Sequence, residues 1–422
     1  MRYWVETLGC PKNQVDSDKL AGTLEADGYG PASGPEEADV VVVNTCAFID
    51  AARQESIETI FDMSRRRGPD SRLVVTGCMA ERYGSELAEA LPEADLVAGF
   101  GVPVTLGRQR PGEAPALPSF DLLNLPRPPA SAPWAYVKVA EGCDRRCGFC
   151  AIPSFRGRQR SRPASAVLEE VEALAASEVV LVAQDLASWG RDLSPRPSFP
   201  NLVRSVAQRV DRVRLLYLYP SELSEGLIEV IGSTGCHYYD LSLQHVSRPH
   251  LRRMRRFGDG ARFLARIGRI RGEWPGAAFR SSFIIGYPGE TEEDHDLLLE
   301  FLAEATLDWA GFFPWSPEEG TYALGLPDHV PAPLAAERLA ECSELQDAIT
   351  ARRRFALVGT TTSVLVDAPG VARSYREAPE IDGVIRVPAD LRVGSWVEVT
   401  ITGAEGPDLE ARPAVSAMAV AG

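Results

Sequence analysis

Cys143, Cys147 and Cys150 stand in the segment Glu141-Gly-Cys-Asp-Arg-Arg-Cys-Gly-Phe-Cys150, a C-x3-C-x2-C spacing. It puts three thiolates in one short loop and no fourth. Thiolates are the ligands of iron–sulfur clusters, and a cubane has four irons to hold. Three ligands leave one iron open to a substrate or cofactor, so the spacing points to chemistry as well as electron storage. Zinc is the competing use. A structural zinc site takes four protein ligands, often as two C-x2-C pairs. No second pair stands nearby, and the nearest histidine is His237. The flanking Gly142, Asp144, Arg145 and Arg146 are loop residues, not core residues. An iron–sulfur cluster is the reading these residues favour.

Three further cysteines are scattered along the chain. Residues 1–100 alternate strand patterns (3–7, 40–44, 73–76 and 95–98) with helical ones (17–26, 51–66 and 81–91). Such alternation predicts a parallel sheet with helices on its faces. Cys10 follows the first strand, Cys46 the second and Cys78 the third. In a parallel sheet the carboxyl ends of the strands share one edge, where open α/β sheets bind ligands. The three cysteines are therefore expected to converge on a second cluster site. Taken singly, each is an ordinary free cysteine, a residue type often found buried.

Eight prolines between Pro103 and Pro133 mark residues 101–133 as a linker draped over the surface. From Trp134 the rhythm resumes, with strands at 135–140, 179–183, 213–217, 238–243, 279–285 and 309–313. Helical patterns lie between most of them, at 164–176, 200–210, 225–231, 261–272 and 292–304. Six such units predict a partial (β/α) barrel over 134–354, whose active site gathers at the carboxyl ends of its strands. The C-x3-C-x2-C loop follows the first of these strands. A long helix at 334–357 ends in Arg352-Arg353-Arg354. Residues 355–422 read as a small β-barrel, with strands at 362–366, 383–387 and 396–401. The fold class is α/β: an N-terminal parallel α/β domain, the partial barrel and the C-terminal β-barrel.

The chain has 422 residues, 45% of them hydrophobic, enough for two or three domains with cores of their own. Its net charge of −15 makes it a poor general binder of nucleic acid and a fit for basic proteins. Residues 355–422 hold five Arg, no Lys and nine Asp or Glu, a net of −4; an RNA-gripping module is expected to be basic. No run of about 18 apolar residues suggests a membrane span. Met1-Arg-Tyr-Trp-Val-Glu6 runs into a strand with no signal-peptide core. A cytoplasmic location is the expectation, and eight cysteines there are not expected to form disulfides. Cys236 and Cys342 read as ordinary cysteines.

The loop Glu141–Cys150 resembles the cluster loop of radical S-adenosylmethionine enzymes. In that superfamily the open iron chelates the amino and carboxylate groups of S-adenosylmethionine, and an electron from the cluster cleaves it to a 5′-deoxyadenosyl radical. A fourth thiolate would block the cofactor. Leu8-Gly-Cys-Pro-Lys-Asn-Gln-Val-Asp-Ser17, Asn44-Thr-Cys-Ala-Phe-Ile-Asp-Ala-Ala52 and Thr76-Gly-Cys-Met-Ala80 resemble the N-terminal domain of methylthiotransferases. The likeness covers nearly the full chain and includes a C-terminal β-barrel of the TRAM type. It implies two 4Fe-4S clusters, one held by Cys143, Cys147 and Cys150 and open to S-adenosylmethionine, the other an auxiliary cluster held by Cys10, Cys46 and Cys78. Catalytic residues beyond the cluster ligands are not implied.

One branch of that family modifies an adenosine in transfer RNA, the other an aspartate in small-subunit ribosomal protein S-twelve. Leu8–Asn13, Ala47–Asp50, Ile152-Pro-Ser-Phe-Arg-Gly157 and Arg373-Ser-Tyr-Arg-Glu-Ala-Pro-Glu-Ile-Asp-Gly383 resemble the ribosomal-protein branch. The implied reaction is methylthiolation of the aspartate β-carbon, with ribosomal protein S-twelve as partner and a flavodoxin- or ferredoxin-type electron donor; the sulfur donor is left open. Transfer-RNA methylthiolation and a non-catalytic RNA-binding iron–sulfur scaffold are the alternatives. By the same resemblance Gln184 and Asp185, after the second barrel strand, are candidates for the cofactor's amino group. Ser242 and Gln244 end the fourth strand and are candidates for ribose or substrate. Gly286 follows the fifth and is a candidate for close approach to adenine, although a tight turn explains it equally. His245 is expected to orient and not to act as a base. Arg156, Arg158, Arg160 and Arg162 are read mainly as solvated loop charge, with orientation of an acidic side chain or of the cofactor carboxylate as the alternative, and Arg252, Arg253, Arg255 and Arg256 as a helix face.

Overall fold

The computed structural model describes residues 1–100 and 121–414. The first domain is a five-stranded parallel sheet in the order β2-β1-β3-β4-β5. Its strands are β1 Arg2–Thr7, β2 Gly30–Pro31, β3 Val40–Thr45, β4 Arg72–Gly77 and β5 Leu96–Ala98. Helix α1, Pro11–Ala26, covers one face; α2, Asp50–Arg66, and α3, Cys78–Ala90, cover the other. The run Val40-Val-Val-Val43 is buried throughout because side chains alternate across the sheet. Val40 and Val42 pack with Leu20 and Leu24 of α1, while Val41 and Val43 pack with Ile60, Met63 and Met79. Each such side chain contributes on the order of 1.5–3 kcal/mol.

Two helices start earlier than their apolar pattern. Helix α1 begins at Pro11, whose fixed φ suits a first helical turn, so Cys10 becomes its N-cap. Helix α3 begins at Cys78 itself. The edge strand β2 has two residues, too few to show a period.

The second domain opens with β6 Trp134–Lys138, β7 Ala140–Glu141, α4 Ile152–Arg156, β8 Arg160–Ser161, α5 Ala164–Leu174 and β9 Glu178–Val182. It continues through α6 Phe199–Ala207, β10 Arg212–Leu215, α7 Glu225–Ser233, β11 Tyr238–Gln244, α8 Arg248–Arg253 and α9 Gly260–Glu273. It closes with β12 Ala278–Ile285, α10 Glu292–Ala305, β13 Trp309–Pro314 and α11 Ala332–Phe355. Strands β6, β9 and β10 form one parallel sheet and β11, β12 and β13 another, joined by a bridge between Leu218 and Leu241. The result is a six-stranded open barrel in sequence order. Val179 and Leu181 face the outer helices, Val180 and Val182 the interior. Val15 of α1 also reaches the interior cluster, so the first domain lies against the barrel's opening.

The third domain is a closed barrel of β14 Thr361–Ala368, β15 Val371–Arg373, β16 Ile385–Arg386, β17 Trp396–Glu405 and β18 Asp408–Pro413. The phrase Arg373–Gly383 folds back onto the second domain. It plugs the amino end of the larger barrel: Tyr136 donates to the Pro379 carbonyl at 2.9 Å, Arg214 to that of Tyr375 at 2.8 Å and Trp309 to that of Arg376 at 2.8 Å. Of the expected linker, residues 101–120 lie outside the described residues. Residues 121–133 lie along the first two domains, with Leu122 and Leu123 buried and Arg127 donating to Asp18 at 2.7 Å.

Candidate functional site

The loop after β7 carries Cys143, Cys147 and Cys150 to the carboxyl end of the barrel. Cys147 and Cys150 are half-buried, and Cys143 is buried. The Arg145 amide donates to Cys143 Sγ at 3.4 Å, and the Arg256 guanidinium reaches Cys147 Sγ at 3.5 Å. Gly148 docks on the turn after α8, its amide donating to the Met254 carbonyl at 2.8 Å. Burial pushes the Cys143 thiol up to about 11 and, with Cys147 beside it, that of Cys150 to about 12. As free thiols they hold their protons at neutral pH, so a metal must displace protons to bind.

Cys10, Cys46 and Cys78 do converge, around Asn13. The Asn13 side-chain amide donates to the carbonyls of Leu8 at 2.9 Å and Thr45 at 3.0 Å, and its Oδ1 lies 3.5 Å from Cys78 Sγ. Ser56 of α2 holds both backbone groups of Cys46 at 3.1 Å. Gly9 and Gly77 precede cysteines with φ of +90° and +93°. A Cβ on Gly9 would stand 2.9 Å from Cys46 Sγ, and one on Gly77 would stand 2.5 Å from the Thr45 carbonyl, so neither position admits a side chain. Burial alone would raise the Cys10 thiol, but Lys12 and Arg156 outweigh it and bring it below its ordinary value. Burial and the neighbouring thiols push Cys46 up to about 12.

Among the described residues neither cysteine triad closes to within 4.8 Å. A tetrahedral zinc with Zn–S bonds of about 2.3 Å draws its sulfurs closer than that.

A buried polar network joins the two triads. Arg156 donates to Cys78 Sγ at 3.0 Å, Asn13 Oδ1 at 2.7 Å, Asp16 at 3.2 Å and Glu141 at 2.9 Å. Lys138 of β6 bonds both Asp16 and Glu141. Burial opposes ionisation of Glu141, but Arg156 and Lys138 outweigh it and hold that carboxyl far below its usual range. Arg156 is therefore not solvated loop charge; it takes the alternative role and orients the acidic side chains of Asp16 and Glu141. Arg162 is buried as well, against Glu170 at 2.7 Å, while Arg158 and Arg160 are exposed. Arg156 ends α4, Arg160 lies in the two-residue β8 and Arg162 stands past it, so the evenly spaced arginines sit on different elements and do not share one face. The expected helix face holds only Arg252 and Arg253, because α8 ends at Arg253: Arg253 donates to the Pro288 carbonyl at 3.3 Å, and Arg256, past the helix, turns in to Cys147 and the Ser242 carbonyl.

Gln184 and Asp185 reach the carboxyl edge after β9. Gln184 donates to Glu141 at 2.7 Å, and Asp185 Oδ2 receives Arg145 at 2.6 Å and Ser188 at 2.6 Å. Gln184 Oε1 and Asp185 Oδ1 are buried acceptors with no donor. Two orphaned acceptors beside a three-cysteine loop fit a ligand amino group. Ser242 and Gln244 end β11, and Gln244 holds a left-handed φ of +71°. Such strain in a non-glycine residue is concentrated at functional edges. Gly286 is different: a Cβ there would lie 2.8 Å from the Ala335 side chain of α11, so packing accounts for the glycine.

His245, His250 and Glu290 form a buried trio with ligand atoms within 4.8 Å. The Ser247 amide donates to His245 Nδ1 at 3.1 Å, which leaves the ring proton on Nε2 and no lone pair for a metal. Glu290 is already held by the Gly286 amide at 2.6 Å and Arg338 at 3.1 Å. The trio is a polar core beneath the β11 and β12 ends. Cys236 and Cys342 are buried in apolar cores.

Comparison with known proteins agrees with this layout. Residues 2–99 match the uncharacterized protein family UPF0004, residues 137–302 the radical SAM superfamily and residues 358–413 the TRAM domain. A protein of Moorella thermoacetica named ribosomal protein uS12 methylthiotransferase RimO is 43% identical, over 95% of this chain and 96% of its own. Proteins of the same name from a Nocardioides species and Streptomyces coelicolor are 42% and 41% identical, over 96% of this chain and 96% and 95% of theirs. Among solved structures, a radical S-adenosylmethionine methyltransferase, TsrM from Kitasatospora setae, aligns at 16% identity with a TM-score of 0.48, covering 92% of this chain and 81% of its own.

Proposed function

The chain belongs to the RimO family of ribosomal protein uS12 methylthiotransferases, and from that premise we propose how its six site cysteines divide the reaction. The substrate is an aspartate of ribosomal protein uS12, and the product carries a methylthio group on the β-carbon. Radical SAM membership brings S-adenosylmethionine and a 4Fe-4S cluster as cofactors. In our reading Cys143, Cys147 and Cys150 hold that cluster, and Cys10, Cys46 and Cys78 hold a second one. Bound there, the two clusters and S-adenosylmethionine supply hydrogen-atom abstraction from an unactivated C–H, which no acid or base in the site can reach, and then the sulfur.

The protein's own residues position these groups. Asp185 Oδ1 and Gln184 Oε1 receive the cofactor's amino group, while Arg145 fixes Asp185 in place. Glu141 ties Gln184 to Arg156, and Arg156 donates to the second triad, so both cysteine sets move as one unit. The first domain is clamped again at Glu318, which accepts from Arg53 at 2.5 Å and Arg82 at 2.6 Å. Cys147 is half-exposed beside exposed Arg146, which suits delivery of an electron by a flavodoxin- or ferredoxin-type protein.

The observation that carries the reading is the second triad, brought together from three strand ends and bonded through Arg156 to Glu141, two residues before the first triad. Anaerobic reconstitution tests it. The intact chain should hold about eight irons, and about four when either triad is replaced by alanine. Loss of the first triad should abolish 5′-deoxyadenosine formation. Four irons in the intact chain, or zinc in their place, would refute the two-cluster assignment.

A further inference from the structure

Among the described residues, the cations that link the two cysteine triads are held by carboxylates, a carbonyl or a thiol. Arg145 is bound by Asp185 and Glu222, and Arg156 and Lys138 share Asp16 and Glu141. Arg256 is bound by the Ser242 carbonyl and Cys147. Lys12, two residues past Cys10 in the first turn of α1, rests instead on an aromatic face: its Nζ lies 3.5 Å from the centroid of the Tyr217 ring. Tyr217 stands just past β10 on the carboxyl edge of the barrel, with a left-handed φ of +64°. Its amide is pinned by Asp240 Oδ2 at 2.9 Å. A tyrosine in that conformation is strained, and here the strain presents a ring to an ammonium from the other domain.

We propose that Lys12 is the carboxylate-binding residue of the substrate site: its ammonium leaves the Tyr217 ring and takes the γ-carboxylate of the aspartate to be modified. This rests on the reading that the chain acts on an aspartate of uS12. The substrate brings a negative charge into a half-buried space, where a charge needs an opposite charge. A charge-assisted hydrogen bond to a carboxylate outweighs the face of a phenol ring, and a flexible four-carbon stem lets the ammonium travel between them. The β-carbon is one bond from the carboxyl carbon. Holding the carboxylate two residues from Cys10 therefore sets the reacting carbon against the second triad. Lys12 also distinguishes substrates, because an adenosine offers no such carboxylate and an asparagine only a neutral amide.

Binding of uS12 to the reconstituted holoprotein, with S-adenosylmethionine and no reductant, tests this. The comparison is uS12 against uS12 with its target aspartate changed to asparagine. The parent chain should prefer the aspartate form by about ten- to a hundredfold. Lys12→Met should bring that ratio close to one by weakening only the aspartate form, and Lys12→Arg should keep most of the preference. A ratio unchanged in Lys12→Met overturns the proposal. So does a Lys12→Met chain that loses iron, which assigns the lysine to maintaining Cys10 as a thiolate. A parent chain that binds neither form of uS12 refutes the substrate reading itself.

Discussion

Replacing Arg156 by methionine keeps an unbranched apolar stem and removes the charged guanidinium. Arg156 is buried and bonded to Asp16, Glu141, Asn13 and Cys78 Sγ. Without it, two buried carboxylates share Lys138 alone, which leaves one carboxylate uncompensated. Breaking a buried pair by removing one partner costs about 3–5 kcal/mol. The cost falls where α1 meets β6, because Asp16 lies on α1 and Lys138 on β6. Hydrogen exchange of the cluster-free protein reads it there, since a chain of several domains has no single unfolding free energy. Slow amides of α1 and β6 should exchange roughly two to four orders of magnitude faster in Arg156→Met. Amides of β17 in the C-terminal barrel should be unchanged. Arg156→Lys, which keeps the charge and loses the fork, should fall between the two. Less than tenfold acceleration in α1 and β6 would refute the claim that this network locks the two cysteine sets together.

Other consequences are independent of that network. Asp185→Asn removes the charge between Arg145 and the proposed amino-group site, and S-adenosylmethionine should bind at least about tenfold more weakly by equilibrium dialysis. Glu178 sits buried among Arg212, Arg214 and Arg373; burial opposes its ionisation, but these arginines hold the carboxyl down to about 2. Its folded-state value is depressed, so its stabilisation is present above the ordinary glutamate range and is lost as pH falls from about 4.5 toward 2. Glu178→Gln should remove that acid dependence and release the C-terminal barrel to limited proteolysis at neutral pH. Burial brings His250 down to about 4, with His245, Arg253, Arg338 and Asp294 around it. The folded chain therefore resists protonation there, and stability should fall as pH drops from about 6.5 to 4, by up to about 1.4 kcal/mol per unit. His250→Phe, which keeps a ring against Tyr287, should flatten that slope in thermal melts.

Strand rhythm carries the α/β alternation of the first two domains and the β-rich third in the sequence itself, and the C-x3-C-x2-C spacing marks the loop after the first barrel strand. Unbroken burial in Val40–Val43 and in Val179–Val182 is what a parallel sheet covered on both faces imposes, and the apolar runs show it directly. The network between the triads was harder to read. Lys138, inside Ala135-Tyr-Val-Lys-Val-Ala140, was its one sequence signal, since a lysine in a buried strand requires a partner. Asp16 and Glu141 are separated by 125 positions, and nothing local marks them as that partner's carboxylates. Arg156 and Arg158 are chemically identical and two residues apart. Only the path of the chain through Gly157 and β8 buries one and exposes the other. Lys12 stands two residues past Cys10, and nothing local marks its partner, the Tyr217 ring, which the barrel delivers from 205 positions away.

The most direct measurement is mass spectrometry of both candidate substrates after one anaerobic reaction. The reconstituted enzyme, S-adenosylmethionine and a low-potential reductant are incubated with uS12 and unmodified transfer RNA together. A methylthio group on the aspartate β-carbon of uS12, with the transfer RNA unchanged, is the predicted result. Methylthio-adenosine in the transfer RNA with unmodified uS12 would contradict it.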